Sequence, residues 1–275
     1  MMKLAIVRSA LAGAALLGAV SGAISGASAQ VAPPKDLVAP GKVTYALVGT
    51  FAPFQYMDNN KLVGLDIDLI DAMAKKMGLT PAPMTMEFKG LIPALQSKRV
   101  DIINAAMYIR PEREEQVDFV PYVSVGNELV IQAKNPKNIS GRENMCGANV
   151  AVTLGGFQEK LAREDDENCK KAGKAGVNVM TFPTAQDAAL ALKNGRADAI
   201  YNSTPGAYKQ VQELPNDYKI AGKTFGPFAK VGFAVRKGDA AMKDALTKSF
   251  EAIKADGTFD AILKKNGMPA SSKLD

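Results

Sequence analysis

The chain has 275 residues, a formal net charge of +6 and no histidine. Without an imidazole it lacks the usual zinc and copper ligand, the Ser-His and Cys-His nucleophile pairs and the commonest general base. The positive excess is spread along the chain with no basic run among aromatics, which argues against nucleic-acid binding, and nothing beyond residue 29 approaches the roughly 18 apolar residues that span a bilayer.

Met1-Met2-Lys3 and Arg8 form a positive lead, residues 10–20 are apolar, and Ala27-Ser28-Ala29 supplies a small-x-small cleavage pattern. Residues 1–29 are therefore predicted to be a secretory signal peptide. A membrane anchor fits less well, because the apolar run is short and broken by Ser21 and glycines. No cysteine follows the cleavage point to carry a lipid, and loss of Lys3 and Arg8 lowers the charge from +6 to +4. The remaining length suits one large domain or two small ones.

A strand is predicted over 42–48, where β-rich residues alternate. A turn-like loop at 49–54 and a polar turn at 58–60 follow. The next helix carries Leu69, Ile70, Met73, Ala74 and Met77 on one face and stops at Gly78. Met84 and Met86 mark a second strand, 90–97 a helix with Pro93 in its first turn, and 100–106 a third strand. This order is the grammar of a parallel α/β sheet. A short helix starts at Arg110-Pro111, an extended connection covers 119–125, and 128–133 is a strand. A second series then runs through a strand at 149–154, a Gly155-Gly156 turn, a helix from Phe157, a strand at 178–182, a helix at 184–193 with Thr184 and Asp187 in a capping arrangement, and a strand at 197–201. A strand at 230–236 and two helices, one lined by Met242, Leu246, Phe250 and Ile253 and one capped by Thr258, close the chain.

One short unit is written twice. Residues 94–103 (ALQSKRVDII) and 191–200 (ALKNGRADAI) each read as a helix end, a polar turn with a basic residue, an Asp and an apolar strand. Two such units imply two α/β lobes, and ligands in open α/β sheets bind beyond the carboxyl ends of the strands. The terminal part matches neither unit and is predicted to return to the first lobe. This gives lobe 1 as 41–120 plus 231–275, lobe 2 as 125–226, and two hinge crossings near 119–125 and 226–231.

Several residues have two readings. The helix after Gly155-Gly156 offers free amides to an anion, or the glycines form a plain turn. Phe51 and Phe88 are ligand platforms or core residues. Arg113 grips a carboxylate or is a solvated arginine balanced by Glu112 and Glu115. Asp66 and Asp68 resemble a carboxylate pair, yet they open a helix and fit its electrostatics better. Cys146 and Cys169 either stay separate or pair; the oxidising space reached by an exported chain favours pairing, which closes a loop worth roughly 3 kcal/mol in the chain-entropy model. No phosphate loop, dinucleotide fingerprint or metal cluster is present in the sequence, so no cofactor is expected.

The segments 51–58 (FAPFQYMD), 64–69 (GLDIDL), 90–97 (GLIPALQS), 110–113 (RPER) and 116–119 (QVDF) follow in order and resemble the periplasmic solute-binding proteins of amino-acid ABC transporters. The likeness runs from about residue 42 to 267, and Cys146 with Cys169 resembles a disulfide of one branch of that family. It implies a type II periplasmic-binding-protein fold, two α/β lobes joined by a two-segment hinge, closing over an amino acid or related small carboxylate. It further implies a monomer in the periplasm that serves an inner-membrane permease. Arg113 becomes the clamp for the ligand carboxylate, helped by the backbone of Ala105 and Tyr108 and the helix start at Phe157 and Gln158, with Phe51 and Phe88 as walls. Three departures stand out: Ser203, beside Asn202, takes the place of an acid that pairs the ligand ammonium, while Tyr108 and Phe157 each replace a small hydroxyl residue. A buried ammonium without a carboxylate is costly. The expected ligand therefore binds its amino group through neutral oxygens or lacks one, and is flatter or more apolar than glutamate or arginine. The rival readings are an exported enzyme on the same scaffold, of the cyclohexadienyl dehydratase kind, and a ligand sensor module. The enzyme needs a buried acid facing the ligand, and Ser203 stands where that acid is expected.

Overall fold

The computed structural model describes residues 31–274; the predicted signal segment lies outside them. Strand β1 (Lys42–Leu47) buries Val43, Tyr45, Ala46 and Leu47. Where the sequence reads as loop and turn, the chain forms a small antiparallel meander of β2 (Thr50–Phe51), β3 (Gln55–Asp58) and β4 (Lys61–Val63). Strands this short carry no periodicity to detect. Helix α1 (Leu65–Met77) buries the predicted stripe and ends at Gly78 in the left-handed region. Then follow β5 (Thr80–Thr85), α2 (Leu91–Gln96), β6 (Ile102–Tyr108), whose residues are all buried, and α3 (Pro111–Glu114).

Strand β7 (Val117–Gln132) covers both the predicted connection at 119–125 and the predicted strand at 128–133 without a break. The second series is β8 (Asn149–Thr153), α4 (Phe157–Lys171), β9 (Asn178–Phe182), α5 (Ala185–Lys193) and β10 (Ala199–Ser203). Thr184 caps α5 by accepting from the Asp187 amide at 3.1 Å. An unpredicted helix, α6 (Thr204–Glu213), comes next. Strand β11 (Tyr218–Arg236) starts well before the predicted strand at 230–236, and α7 (Ala240–Ala255) and α8 (Thr258–Lys265) end the fold.

The strands form one sheet in the order β5-β1-β6-β11-β7-β10-β8-β9. β5, β1 and β6 are parallel at one end, and β10, β8 and β9 at the other. Between them β7 and β11 pair antiparallel, with register shifts around Phe225, and each also joins a flanking group. The molecule is thus an α/β protein of two lobes, and the chain passes between them along these two long strands. Helices α7 and α8 pack on α1, where Lys265 Nζ lies 2.6 Å from Asp68 and Lys76 Nζ 2.7 Å from Asp256.

The sequence repeat is a structural repeat. The Asp101 amide donates to the Thr44 carbonyl (2.9 Å) while its carboxylate accepts from the Thr44 amide (2.7 Å). The Asp198 amide donates to the Asn149 carbonyl and its carboxylate accepts from the Asn149 amide, both at 2.8 Å. Each Asp pins the start of the first strand of its lobe. The preceding turns place Lys98 and Gly195 in the left-handed region, with φ of 57° and 71°. The bond between Cys146 and Cys169 ties the segment before β8 to the last turn of α4.

Candidate functional site

A cavity, part of it open to solvent, lies between the lobes. Val48, Thr50, Phe51 and Gln55 line it from the β1–β3 segment, Phe88 from the turn before α2, and Ala105, Ala106 and Tyr108 from β6. The second lobe contributes Thr153, Gly156, Phe157 and Gln158 from the β8–α4 junction, and Ala185 at the start of α5. Both β6 and β8 deliver these residues at their carboxyl ends, where a parallel sheet exposes its loops.

The lobes touch across the cavity. The rings of Tyr108 and Phe157 stack with centroids 4.8 Å apart and planes 15° from parallel. Gln158 Nε2 donates to the Tyr108 hydroxyl (3.1 Å) and to Asn127 Oδ1 (2.9 Å). Burial pushes the Tyr108 hydroxyl well above the ordinary tyrosine range, so it stays neutral. Gly156 precedes α4 without capping it through a side chain, and a Cβ there would sit 2.9 Å from the Thr153 carbonyl oxygen. The first turn of α4 therefore meets the cavity without a cap from residue 156, while the Glu159 carboxylate folds back to accept from the Gly155 amide at 2.6 Å.

Arg113 is buried just behind this wall. Its Nη1 donates to the Tyr108 carbonyl (2.8 Å) and its Nη2 to the Gly155 carbonyl (2.9 Å), so one guanidinium fastens β6 to the β8–α4 turn. Its Cζ lies 5.1 Å from the centre of the Phe88 ring, a cation over an aromatic face. Burial, reinforced by repulsion from Arg110, lowers it to about 9, which leaves it charged at neutral pH. A cation held this way is a fixed positive charge at the edge of the cavity. The reading of Arg113 as a solvated arginine does not hold.

Of the residues singled out from the sequence, Phe51, Phe88, Ala105, Tyr108, Phe157 and Gln158 share the cavity wall, and Arg113 abuts it. Asn202 and Ser203 do not line it. Ser203 begins α6, and its Oγ accepts from the Gly206 amide; a serine before Thr-Pro serves as a helix cap. Asn202 Oδ1 accepts from the Ser203 amide and its Nδ2 donates to Gln210 Oε1. The sequence reading missed Val48, Thr50, Gln55, Thr153 and Ala185, while Gly156 belongs to the glycine turn it offered as an anion site. The one signal for Gln55 was a polar side chain inside an aromatic and proline-rich segment. Asp66 lies in the first turn of α1, where the sequence reading puts it, and is fully buried there. The Tyr122 hydroxyl donates to its Oδ1 at 2.6 Å, and burial raises it to about 7.

Comparison with known proteins agrees with this architecture. A probable histidine-binding protein of Campylobacter jejuni is 31% identical over 224 residues, which is 79% of this chain and 83% of that protein. A solved ancestral arginine-binding protein bound to arginine aligns with a TM-score of 0.75 at 39% identity, covering 82% of this chain and 98% of the other. The ancestral amino acid-binding protein AncCDT-1, a precursor of cyclohexadienyl dehydratase, aligns with a TM-score of 0.73 at 31% identity, covering 82% and 95%. The family model for bacterial extracellular solute-binding proteins, family 3, matches residues 43–268. With two lobes of the type II periplasmic-binding-protein kind and a cavity between them, the chain belongs to the bacterial extracellular solute-binding proteins of family 3.

Proposed function

We propose that this protein is the substrate-binding component of an ABC importer, exported to the periplasm, where it takes up an amino acid or related small carboxylate and delivers it to the inner-membrane permease. The observation that carries this reading is Arg113, a buried cation fastened to both lobes just behind the cavity wall, beside the turn that starts α4. Charge-assisted donors and helix-end amides suit a carboxylate. The lobes, 41–120 plus 231–275 and 125–226, rotate about crossings near 119–125 and 226–231. Ligand shifts that equilibrium only by its extra affinity for the closed arrangement.

Catalysis is the weaker reading. Among the described residues no Asp, Glu or Cys lines the cavity, the chain has no histidine, and the one ionisable side chain on the wall, Tyr108, is held neutral by burial. The test is a thermal-shift and calorimetric screen of the mature protein against amino acids, opines and simple carboxylates, since a ligand that binds the native state raises its apparent stability. Arg113→Ala is expected to abolish the shift while circular dichroism still reports a folded protein. An unchanged shift removes Arg113 from the site. Turnover of a prephenate-like acid would favour the enzyme instead.

A further inference from the structure

We infer that Gln55 and Thr50 read the far end of the ligand, and that this end is uncharged and carries an oxygen acceptor, as a carboxamide or hydroxyl does. The inference rests on the solute-binding reading above and names the ligand class. Gln55 is fully buried and forms part of the cavity wall. Its Oε1 accepts from the Gly49 amide, and because a backbone N–H can only donate, this contact fixes which end of the side chain is oxygen. Its Nε2, with two N–H donors, has no partner among the described residues. Thr50 lies on the same wall, and its Oγ1 is also buried and unpartnered. Buried polar groups are nearly always hydrogen-bonded, so two orphans on one cavity wall point to the molecule that fills it.

Charge narrows the class. Among the described residues no Asp or Glu lines the cavity, so a guanidinium or ammonium at the far end would be buried without a partner. Arg113 meets the wall through Phe88, Tyr108 and Gly155, and none of its contacts is with Gln55 or Thr50 among the described residues. One fixed cation matches one carboxylate, and a second carboxylate beside Gln55 would have only neutral donors. The chemistry that fits is a monocarboxylate with a neutral, oxygen-bearing tail, even though a solved neighbour is bound to arginine.

The test is calorimetric titration of the mature protein with L-glutamine, L-threonine, L-norleucine, L-glutamate, L-arginine and L-lysine. Wild type is expected to bind at least one oxygen-bearing neutral ligand about tenfold or more tighter than norleucine, glutamate or the cations. Gln55→Glu keeps an oxygen for the Gly49 amide and replaces the N–H donors by a carboxylate oxygen. It should weaken the neutral ligand about tenfold or more and strengthen arginine or lysine by a similar factor. Thr50→Val, nearly isosteric, should weaken the oxygen-bearing ligand severalfold and leave norleucine unchanged, and it decides the matter if Gln55→Glu does not fold. Preference of wild type for a cationic, dianionic or oxygen-free ligand, or variants with unaltered preference, overturns the inference while solute binding stands. Failure of wild type to bind any amino acid or carboxylate in the wider screen overturns both.

Discussion

Asp66 carries a carboxyl group where no water reaches it, and that has a pH signature. Its ordinary value is 3.8, and burial raises it to about 7 against the smaller opposing effect of the hydrogen bonds from Tyr122 and the Ala106 amide. Between those two values the folded state holds a proton that the unfolded chain releases, so stability falls as pH rises through this window. The loss is on the order of a few kcal/mol at most, at about 1.4 kcal/mol per pH unit. Asp118 and Glu112 are shifted down, Asp118 chiefly by the Gly238 amide, so the stability they contribute is lost as pH falls, the opposite sense to Asp66. Urea melts of wild type are expected to show a lower midpoint at pH 8 than at pH 5. Asp66→Asn, which can still accept from Tyr122, should flatten that slope and be more stable than wild type at pH 8 by roughly 1–3 kcal/mol. A slope that survives the substitution means another group sets it.

The two strand-pinning aspartates let the lobes be compared element by element. Asp101 is fully buried and accepts from the Val38 and Thr44 amides and the Thr44 hydroxyl. Asp198 accepts from the Asn149 amide, with Lys137 Nζ 3.3 Å away near the surface. Asp101→Ala should therefore cost roughly 2–4 kcal/mol and Asp198→Ala roughly 1–2 kcal/mol, measured by urea denaturation; the reverse order would mean the repeat units do different work. The repeat was readable because both lobes need the same residue types for the same backbone bonds. Helices α1, α5, α7 and α8 were readable for a related reason, since each buries one stripe against a lobe. Helix α6 was not, because the residues it buries are Pro205, Gly206 and Ala207, which give no apolar stripe. The first half of β11 was not either: from Gly222 to Lys230 the strand is largely exposed where it passes between lobes, so neither alternation nor a core run marks it. Phe51 and Phe88 sit beside element ends, and it was the family resemblance that singled out these two and Tyr108. The importance of Gln55 follows from what its two polar atoms do separately, which only coordinates reveal.

At the scale of the whole molecule, β7 and β11 join two lobes whose facing walls touch at the cavity. The Tyr108–Phe157 stack and the Arg113–Gly155 and Gln158–Tyr108 bonds run from one lobe to the other. Phe157→Ala removes the stack and should weaken ligand binding by roughly 1 kcal/mol, about fivefold. Small-angle scattering should show less compaction at equal, sub-saturating ligand. Unaltered affinity and compaction would mean the stack plays no part in closure.

The Cys146–Cys169 bond makes a covalent circle of the chain that includes β8, the glycine turn and the start of α4. That circle holds every cavity residue of the second lobe except Ala185. Cystine formation, at sulfur atoms off the cavity wall, thus narrows the motions open to one jaw of the trap before any solute arrives.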